Sequence, residues 1–110
     1  MAYVEGFVAA VPESNKTAYR RHAAKAAPLF KEFGATRVVE CWGDDIPDGK
    51  LTDFRGAVKA RKGEVVVFSW IEYAANKKIM SDPRMKKMGA TMPFDGKRMI
   101  FGGFMAILDV

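Results

Sequence analysis

The sequence predicts an α+β domain in which a four-stranded antiparallel sheet carries two helices on one face. With 110 residues, the chain has room for one hydrophobic core and therefore for a single domain over residues 1–110. Its 49% hydrophobic and 28% charged residues are typical of a globular protein in water. Segments with strand and helix periodicity follow one another in the order strand, helix, strand, strand, helix, strand.

The first strand covers residues 2–11. Its segment AYVEGFVAAV is rich in aromatic and β-branched residues, and it ends before Pro12, which has no N–H to donate within a sheet. Alternate residues of a strand point to opposite faces, and both faces of this strand are largely apolar. We therefore expect both faces of the sheet to be covered at this strand.

A long amphipathic helix follows over residues 13–33. Apolar side chains recur there at spacings of three and four, namely Tyr19, Ala23, Ala26, Phe30 and Phe33. Ser14 or Asn15 can cap its start, and Gly34 can adopt the left-handed conformation that ends a helix. Pro28 removes one hydrogen bond inside the pattern, so we predict one kinked helix. Two separate helices are not expected, because the apolar stripe continues beyond the proline.

Residues 35–43 and 64–73 alternate in the way expected of the second and third strands, and the segment EVVVFSWIEY predicts a central strand. A long loop rich in turn-forming residues joins them. Within it, Thr52 or Asp53 can cap one helical turn over residues 54–58. Long loops of this kind often bind ligands, so this loop is a candidate functional region.

The last part of the chain predicts a second helix over residues 74–88, interrupted near Pro83, and a fourth strand over residues 97–108. Right-handed crossovers then place both helices on the same face of the sheet, which gives a ferredoxin-like βαββαβ sandwich. The other face has no helix to cover it. Apolar residues left there would form a larger exposed patch than monomers usually carry, so we expect two sheets to pack face to face in a homodimer. Gly6, Gly102 and Gly103 fit a close approach on this sheet.

Several segments are similar to those of a known family. They are YVEGFVAAVP, AAKAAPLFKEFGATRVVECWGDDIPDGKLTDFRGAVKA, EVVVFSWIEY, MSDPRM and MPFDGKRMIFGGF. Over nearly its whole length the chain resembles the YbaA-like family of uncharacterised bacterial proteins. This resemblance implies a dimeric α+β barrel fold and no established activity. Relatives carry several more residues between Tyr73 and Met80, so this chain departs from the family pattern at the start of the second helix.

The charge and the cysteine content limit the compartment and the partners. A net charge of +5 and a pI near 9.5 favour anionic partners, and several of the basic residues lie on the first helix. Nucleic-acid binding is disfavoured, because exposed aromatic residues are not interleaved with the basic ones. With one cysteine, no secretory signal pattern and no long apolar segment, we expect a cytoplasmic protein that does not enter a membrane.

Carboxylates at strand ends and in loops are the candidates for acid–base chemistry, and the best two are Glu40 and Asp45. Glu40 is expected to point into the layer between sheet and helices, where it must pair with Arg37 or Arg98 or shift its pKa. His22 is the sole histidine, so the sequence predicts neither a metal site nor a cofactor, and haem ligation by it is disfavoured. Cys41 is expected to be a small buried side chain.

The leading hypothesis is a homodimer that binds a small, largely apolar or weakly acidic molecule in a cleft between helices and sheet. The predicted ligand-binding residues are Glu40, Trp42, Phe68, Trp70 and Arg98. One alternative is a cofactor-independent oxygenase or isomerase, as the resemblance allows, in which Glu40 or Asp45 removes a proton. The other is an interaction or nucleic-acid-binding protein that uses the basic first helix.

Overall fold

Four antiparallel strands form one sheet in the computed structural model, which describes residues 2–74 and 92–110. The strands are β1 (Tyr3–Pro12), β2 (Ala35–Trp42), β3 (Glu64–Tyr73) and β4 (Ile100–Met105). Their order across the sheet is β2-β3-β1-β4, so β1 and β3 are central and β2 and β4 are edge strands. The predicted α+β class and antiparallel sheet are confirmed, and β3 has the predicted bounds and a central place.

One long helix, α1 (Lys16–Glu32), covers one face of the sheet after a 3-10 turn over Glu13–Asn15. Pro28 lies inside it, so the helix is continuous as predicted, and Gly34 has the left-handed φ of 102° expected at its end. The predicted side-chain cap is wrong. Asn15 occupies the N-cap position, but its amide donates to the carbonyl oxygen of Pro93 at 2.8 Å instead.

The core lies between α1 and the sheet. Ala35, Ile71 and Tyr73 are buried there, and the tyrosine is 1% exposed. Partly buried side chains close the cluster, and they are Tyr3, Phe7, Phe30, Phe33 and Val38. Because alternate residues of β3 share a face, Val67 and Ser69 are also buried on this side, and we call it the helix-covered face.

A short helix, α2 (Phe54–Ala57), forms as predicted in the long loop between β2 and β3. Asp53 caps it by accepting a hydrogen bond from the Gly56 N–H at 2.6 Å. Val58, which directly follows, is 1% exposed and packs with Ala10 and Val66. These two strand residues lie on the face opposite α1. The sequence predicted that this face would be bare, but the loop covers one end of it.

The fourth strand is shorter than predicted at both ends, since β4 covers Ile100–Met105 rather than residues 97–108. A 3-10 turn over Gly96–Arg98 takes the place of its first residues. The Asp95 carboxylate stabilises this turn by accepting hydrogen bonds from the Lys97 N–H and from Arg98 Nε, both at 3.0 Å. The predicted second helix over residues 74–88 falls, apart from its first residue, outside the described residues.

Candidate ligand site on the helix-covered face

A carboxylate and two hydroxyl groups meet on the helix-covered face. The Tyr19 hydroxyl of α1 donates to Oε1 of Glu40 at 2.6 Å. Ser69 also hydrogen-bonds this carboxylate, and it lies directly beside Glu40 in the register of β2 and β3. Ser69 is a buried residue of the sheet, 4% exposed, and Tyr19 is a half-buried residue of α1. The carboxylate is thus bound on both sides.

The surroundings of Glu40 raise the pKa of its carboxyl group. Although β2 is an edge strand and the residue is exposed to solvent, its carboxyl group lies against α1 and the sheet, and burial raises its pKa. The hydrogen bonds from Tyr19 and Ser69 and the nearby His22 oppose this rise. Burial, reinforced by the neighbouring Glu40, also raises the pKa of Tyr19. The phenol therefore stays a hydrogen-bond donor.

The two arginines predicted to pair with Glu40 form ion pairs with other carboxylates instead. Arg37 lies on the opposite face of β2, where its Nη1 is 3.7 Å from Glu72 Oε2. Arg98 forms a two-pronged ion pair with Glu64, with both N–O distances 2.7 Å. In the described part of the chain, Glu40 is thus bound by hydroxyl groups where the sequence suggested a guanidinium.

Aromatic rings surround the Tyr19–Glu40 pair. The centroid of the Tyr19 ring is 6.4 Å from that of Trp42 and 5.6 Å from that of Phe94, and both pairs are tilted. The Lys16 ammonium lies 5.5 Å from the Trp42 ring centroid, within reach of a cation–π interaction. The cluster of Glu40, Tyr19, Trp42 and Phe94 is called the Glu40 site below. It combines a proton acceptor, a hydroxyl donor and flat apolar walls.

Phe68 and Trp70, also predicted to bind ligand, lie on the other face of the sheet. Their ring centroids are 6.0 Å apart, and the Trp70 indole donates to Glu72 Oε2 at 2.9 Å. They line a trough of about 780 Å³ with apolar side chains of β1 and β4. The Phe104 ring lies over Gly6 of β1 and Gly102 of β4, which are paired across the two strands. A β-carbon added to either glycine would lie 3.6 Å (Gly6) or 3.5 Å (Gly102) from this ring. We call this surface the open sheet face.

Arg98, the fifth predicted binding residue, belongs to neither surface. Besides its bonds to Glu64, it donates to Asp95 at 3.0 Å and to the Lys59 carbonyl oxygen at 2.9 Å. Glu64 is the first residue of β3, whereas Ser69 of the Glu40 site lies in the middle of that strand. The structure therefore divides the predicted set into Glu40 with Trp42, Phe68 with Trp70, and Arg98 alone.

The second carboxylate candidate, Asp45, lies apart from Glu40. It is exposed and lines a cavity of about 250 Å³ under the loop, together with Cys41, Phe54 and Phe68. Cys41 is a free, exposed thiol, so the prediction that it is buried is wrong. The reason is that β2 is an edge strand and this residue points away from α1, to the face that no long helix covers within residues 2–74 and 92–110.

Comparison with known proteins assigns the family. The family model described as "Protein of unknown function (DUF1428)" matches residues 2–96. This chain belongs to that family. The Uncharacterized protein YbaA of Escherichia coli strain K12 is 68% identical over 116 aligned positions, which cover 99% of each chain, and the protein of the same name from Shigella flexneri is equally similar. The resemblance drawn from the sequence is confirmed, and these descriptions state no activity.

The alignment is longer than this DUF1428 chain, since 116 positions exceed 110 residues, so it contains gaps, as expected if relatives carry extra residues. Within the described residues, no group of three or more His, Cys, Asp or Glu side chains could hold a metal ion. Over the same part of the chain, no helix has the length and apolar character needed to cross a membrane.

The set predicted from the sequence of this DUF1428 protein lacks two members of the Glu40 site, Phe94 and Tyr19, and Tyr19 supplies the polar contact. Its spacing placed it in the apolar stripe of α1, which is correct for its ring, half-buried against the sheet. The signal that could have found it is chemical, because a buried tyrosine hydroxyl normally needs a hydrogen-bond partner. Glu40 was the carboxylate expected on the same face, so the two requirements satisfy each other.

Proposed function

We propose that this protein acts as a homodimer, paired through the open sheet face, that binds a small, planar, largely apolar or weakly acidic molecule at the Glu40 site. In this proposal the chain adopts a ferredoxin-like sandwich, and two copies form a dimeric α+β barrel. The observation that carries it is the division of the sheet into two surfaces of different chemistry. One surface is apolar and broad, and the other holds a carboxylate bound to hydroxyl groups.

The open sheet face fits a second copy of this chain. Phe68, Ile100 and Phe104 are 45%, 45% and 62% exposed, and they border one continuous apolar trough. A contiguous exposed apolar surface of this kind often marks a protein–protein interaction site. At its polar edge the basic Arg37 lies beside the acidic Glu72, and a second acidic residue, Asp109, lines the trough. A two-fold axis places a patch against itself, and a patch that carries charges of both signs can pair with its own copy.

The Glu40 site fits a small molecule. Trp42 and Phe94 offer flat apolar walls, which suit a planar ring. The Glu40 carboxyl group and the Tyr19 hydroxyl form the polar end, and Lys16 adds a positive charge at Trp42. A molecule with a planar apolar body and one polar or weakly acidic group matches this arrangement.

The dimer is tested by the substitution Phe104→Glu. The side chain is 62% exposed, so the change should leave the monomer fold intact but place two carboxylates in the interface. We expect a shift from dimer to monomer in light scattering coupled to size-exclusion chromatography. Leu51→Glu, at a fully exposed loop residue, is the matched control and should stay dimeric. A monomeric wild-type protein at micromolar concentration would refute the dimer.

The ligand site is tested with the two tryptophans, which lie on opposite faces. A panel of small aromatic ketones and phenols is titrated while tryptophan fluorescence is recorded. Binding at the Glu40 site predicts that the response is lost in Trp42→Phe and kept in Trp70→Phe. A response that depends on Trp70 alone would place the ligand in the trough of the open sheet face and contradict the proposal.

A further inference from the structure

The geometry points to Glu40 and Tyr19 as a proton-transfer pair whose substrate is a planar carbonyl compound with an acidic C–H bond beside the carbonyl group. This inference rests on the proposed ligand site and names the chemistry performed there. It assigns Glu40 as the base that removes the proton and Tyr19 as the donor to the oxygen on which negative charge develops.

The contact between the two side chains supports these roles. A separation of 2.6 Å between the Tyr19 hydroxyl and Glu40 Oε1 is a short, charge-assisted hydrogen bond. The two groups are therefore adjacent, with the carboxylate as acceptor and the phenol as donor. A carbonyl compound placed there can direct its C–H bond at the carboxylate and its oxygen at the phenol. Buried Ser69 holds the carboxylate from the sheet side while this happens.

The electrostatic setting suits a base rather than a structural ion pair. Burial raises the pKa of Glu40, and a carboxylate with a raised pKa is a stronger proton acceptor at neutral pH. The pKa of Tyr19 is also raised, so it stays protonated and able to donate. The carboxylate lies beside hydroxyl groups, which can exchange partners with a substrate, and not in a two-pronged bond such as Arg98 makes with Glu64.

The neighbouring rings define the substrate class. Trp42 and Phe94 flank Tyr19, so a flat ring system next to the carbonyl group would pack against apolar surfaces. The Lys16 ammonium, 5.5 Å from the Trp42 ring centroid, adds positive potential beside this wall, which favours a substrate that gains negative charge. A planar, benzo-fused ketone meets these requirements.

The chemical step balances without a co-reactant. The C–H electron pair becomes the C=C bond of the enolate, the π electrons of the carbonyl move to its oxygen, and the proton goes to Glu40. The Tyr19 hydroxyl turns from Glu40 to the enolate oxygen. Return of a proton from Glu40 to the same carbon restores the ketone, and return to a conjugated carbon gives its isomer.

The test measures hydrogen exchange of 2-tetralone and 2-indanone in D₂O by proton NMR, using the whole protein. Wild type should speed the loss of the signal of the proton next to the carbonyl. General-base catalysis contributes about 10²- to 10⁴-fold, so Glu40→Gln should slow the protein-dependent exchange by at least about 100-fold. Tyr19→Phe should slow it less, by about tenfold, as expected for loss of one donor. Glu13→Gln changes an exposed carboxylate outside the site and should match wild type.

Two readouts separate this inference from the proposed function. Binding of the same ketones is followed by the fluorescence that depends on Trp42. If the ketones bind but wild type exchanges their protons no faster than Glu40→Gln does, the proton-transfer inference is overturned and the proposed ligand site is unaffected. Absence of both binding and exchange for both ketones overturns the substrate class assigned here. Urea unfolding checks that both variants fold, and the Glu40→Gln change keeps a side-chain oxygen that can accept from Tyr19.

Discussion

Replacing Arg98 with methionine tests whether this residue is a structural anchor. Its guanidinium bonds both oxygens of Glu64 at 2.7 Å, and the two side chains are 12% and 9% exposed. Further bonds reach Asp95 and the Lys59 carbonyl oxygen, so Arg98 fastens the turn before β4 to the loop and to the start of β3. Methionine keeps the apolar stem and removes every one of these bonds.

The expected cost follows from the carboxylate partner. The hydrogen bonds from Arg98 are the main cause that lowers the pKa of Glu64 from 4.5 to about 2. At 1.36 kcal/mol per pKa unit this corresponds to about 3 kcal/mol as an upper bound. Because solvent reaches the rim of the cluster and screens it, we expect a coupling free energy of about 2 kcal/mol between Arg98 and Glu64.

The assay is a double-mutant cycle of Arg98→Met and Glu64→Gln, measured by urea unfolding. A carboxylate whose pKa is lowered on folding stabilises the protein above its unfolded pKa, near 4.5, and this contribution fades as the pH falls towards about 2. The coupling should therefore be full at pH 7, fall to about half by pH 3 and be mostly lost by about pH 2. A coupling below about 0.5 kcal/mol at pH 7, or one that does not change with pH, would refute the reasoning.

Three further outcomes are expected. Among the described residues, the Tyr73 hydroxyl is buried with no hydrogen-bond partner, so Tyr73→Phe should leave the free energy of unfolding unchanged or raise it by about 1 kcal/mol. Tyr19→Phe removes the bond to Glu40 and should lower it by about 1 kcal/mol. Urea unfolding that reversed this order would contradict the assignment. Gly34→Ala should lower the melting temperature through a cost of about 1 kcal/mol, because φ is 102° there. The Cys41 thiol is exposed in the single chain and lies beside the open sheet face. It should react with iodoacetamide more slowly in the proposed dimer than in the Phe104→Glu variant. Equal rates would argue against a partner that covers this face.

The periodic elements could be predicted from sequence because their patterns are local. The bounds of β3 follow from ten residues of alternating side chains, and α1 follows from apolar spacings with Gly34 at its end. The length of β4 could not be predicted in this way. Asp95 draws the chain into a turn by binding Lys97 and Arg98, and this side-chain competition has no periodic signature.

The candidate site was only partly predictable for a related reason. Alternation along β2 put Glu40 and Trp42 on one face, and the structure keeps them together there. Their hydrogen-bond partner comes from α1, and the position of Tyr19 above Glu40 depends on how the helix packs, which the spacing within either segment does not determine. Arg98 was assigned to the same cleft by residue type alone, whereas its location depends on the turn before β4.

The alternation of β3 places the proposed dimer surface and the proposed ligand site on opposite faces of the sheet. Phe68 and Ser69 are adjacent in sequence, but one faces the apolar trough and the other holds the Glu40 carboxylate. A sheet built this way can change its pairing surface without moving the Glu40 site, since substitutions at Phe104 or Phe68 act on the opposite side of the backbone. The side chains of α1 that complete the site come from the same chain as Glu40. The hydrogen-bonded pair to which we assign proton transfer is therefore complete within one protomer, and the role proposed for the second copy is to cover the apolar face.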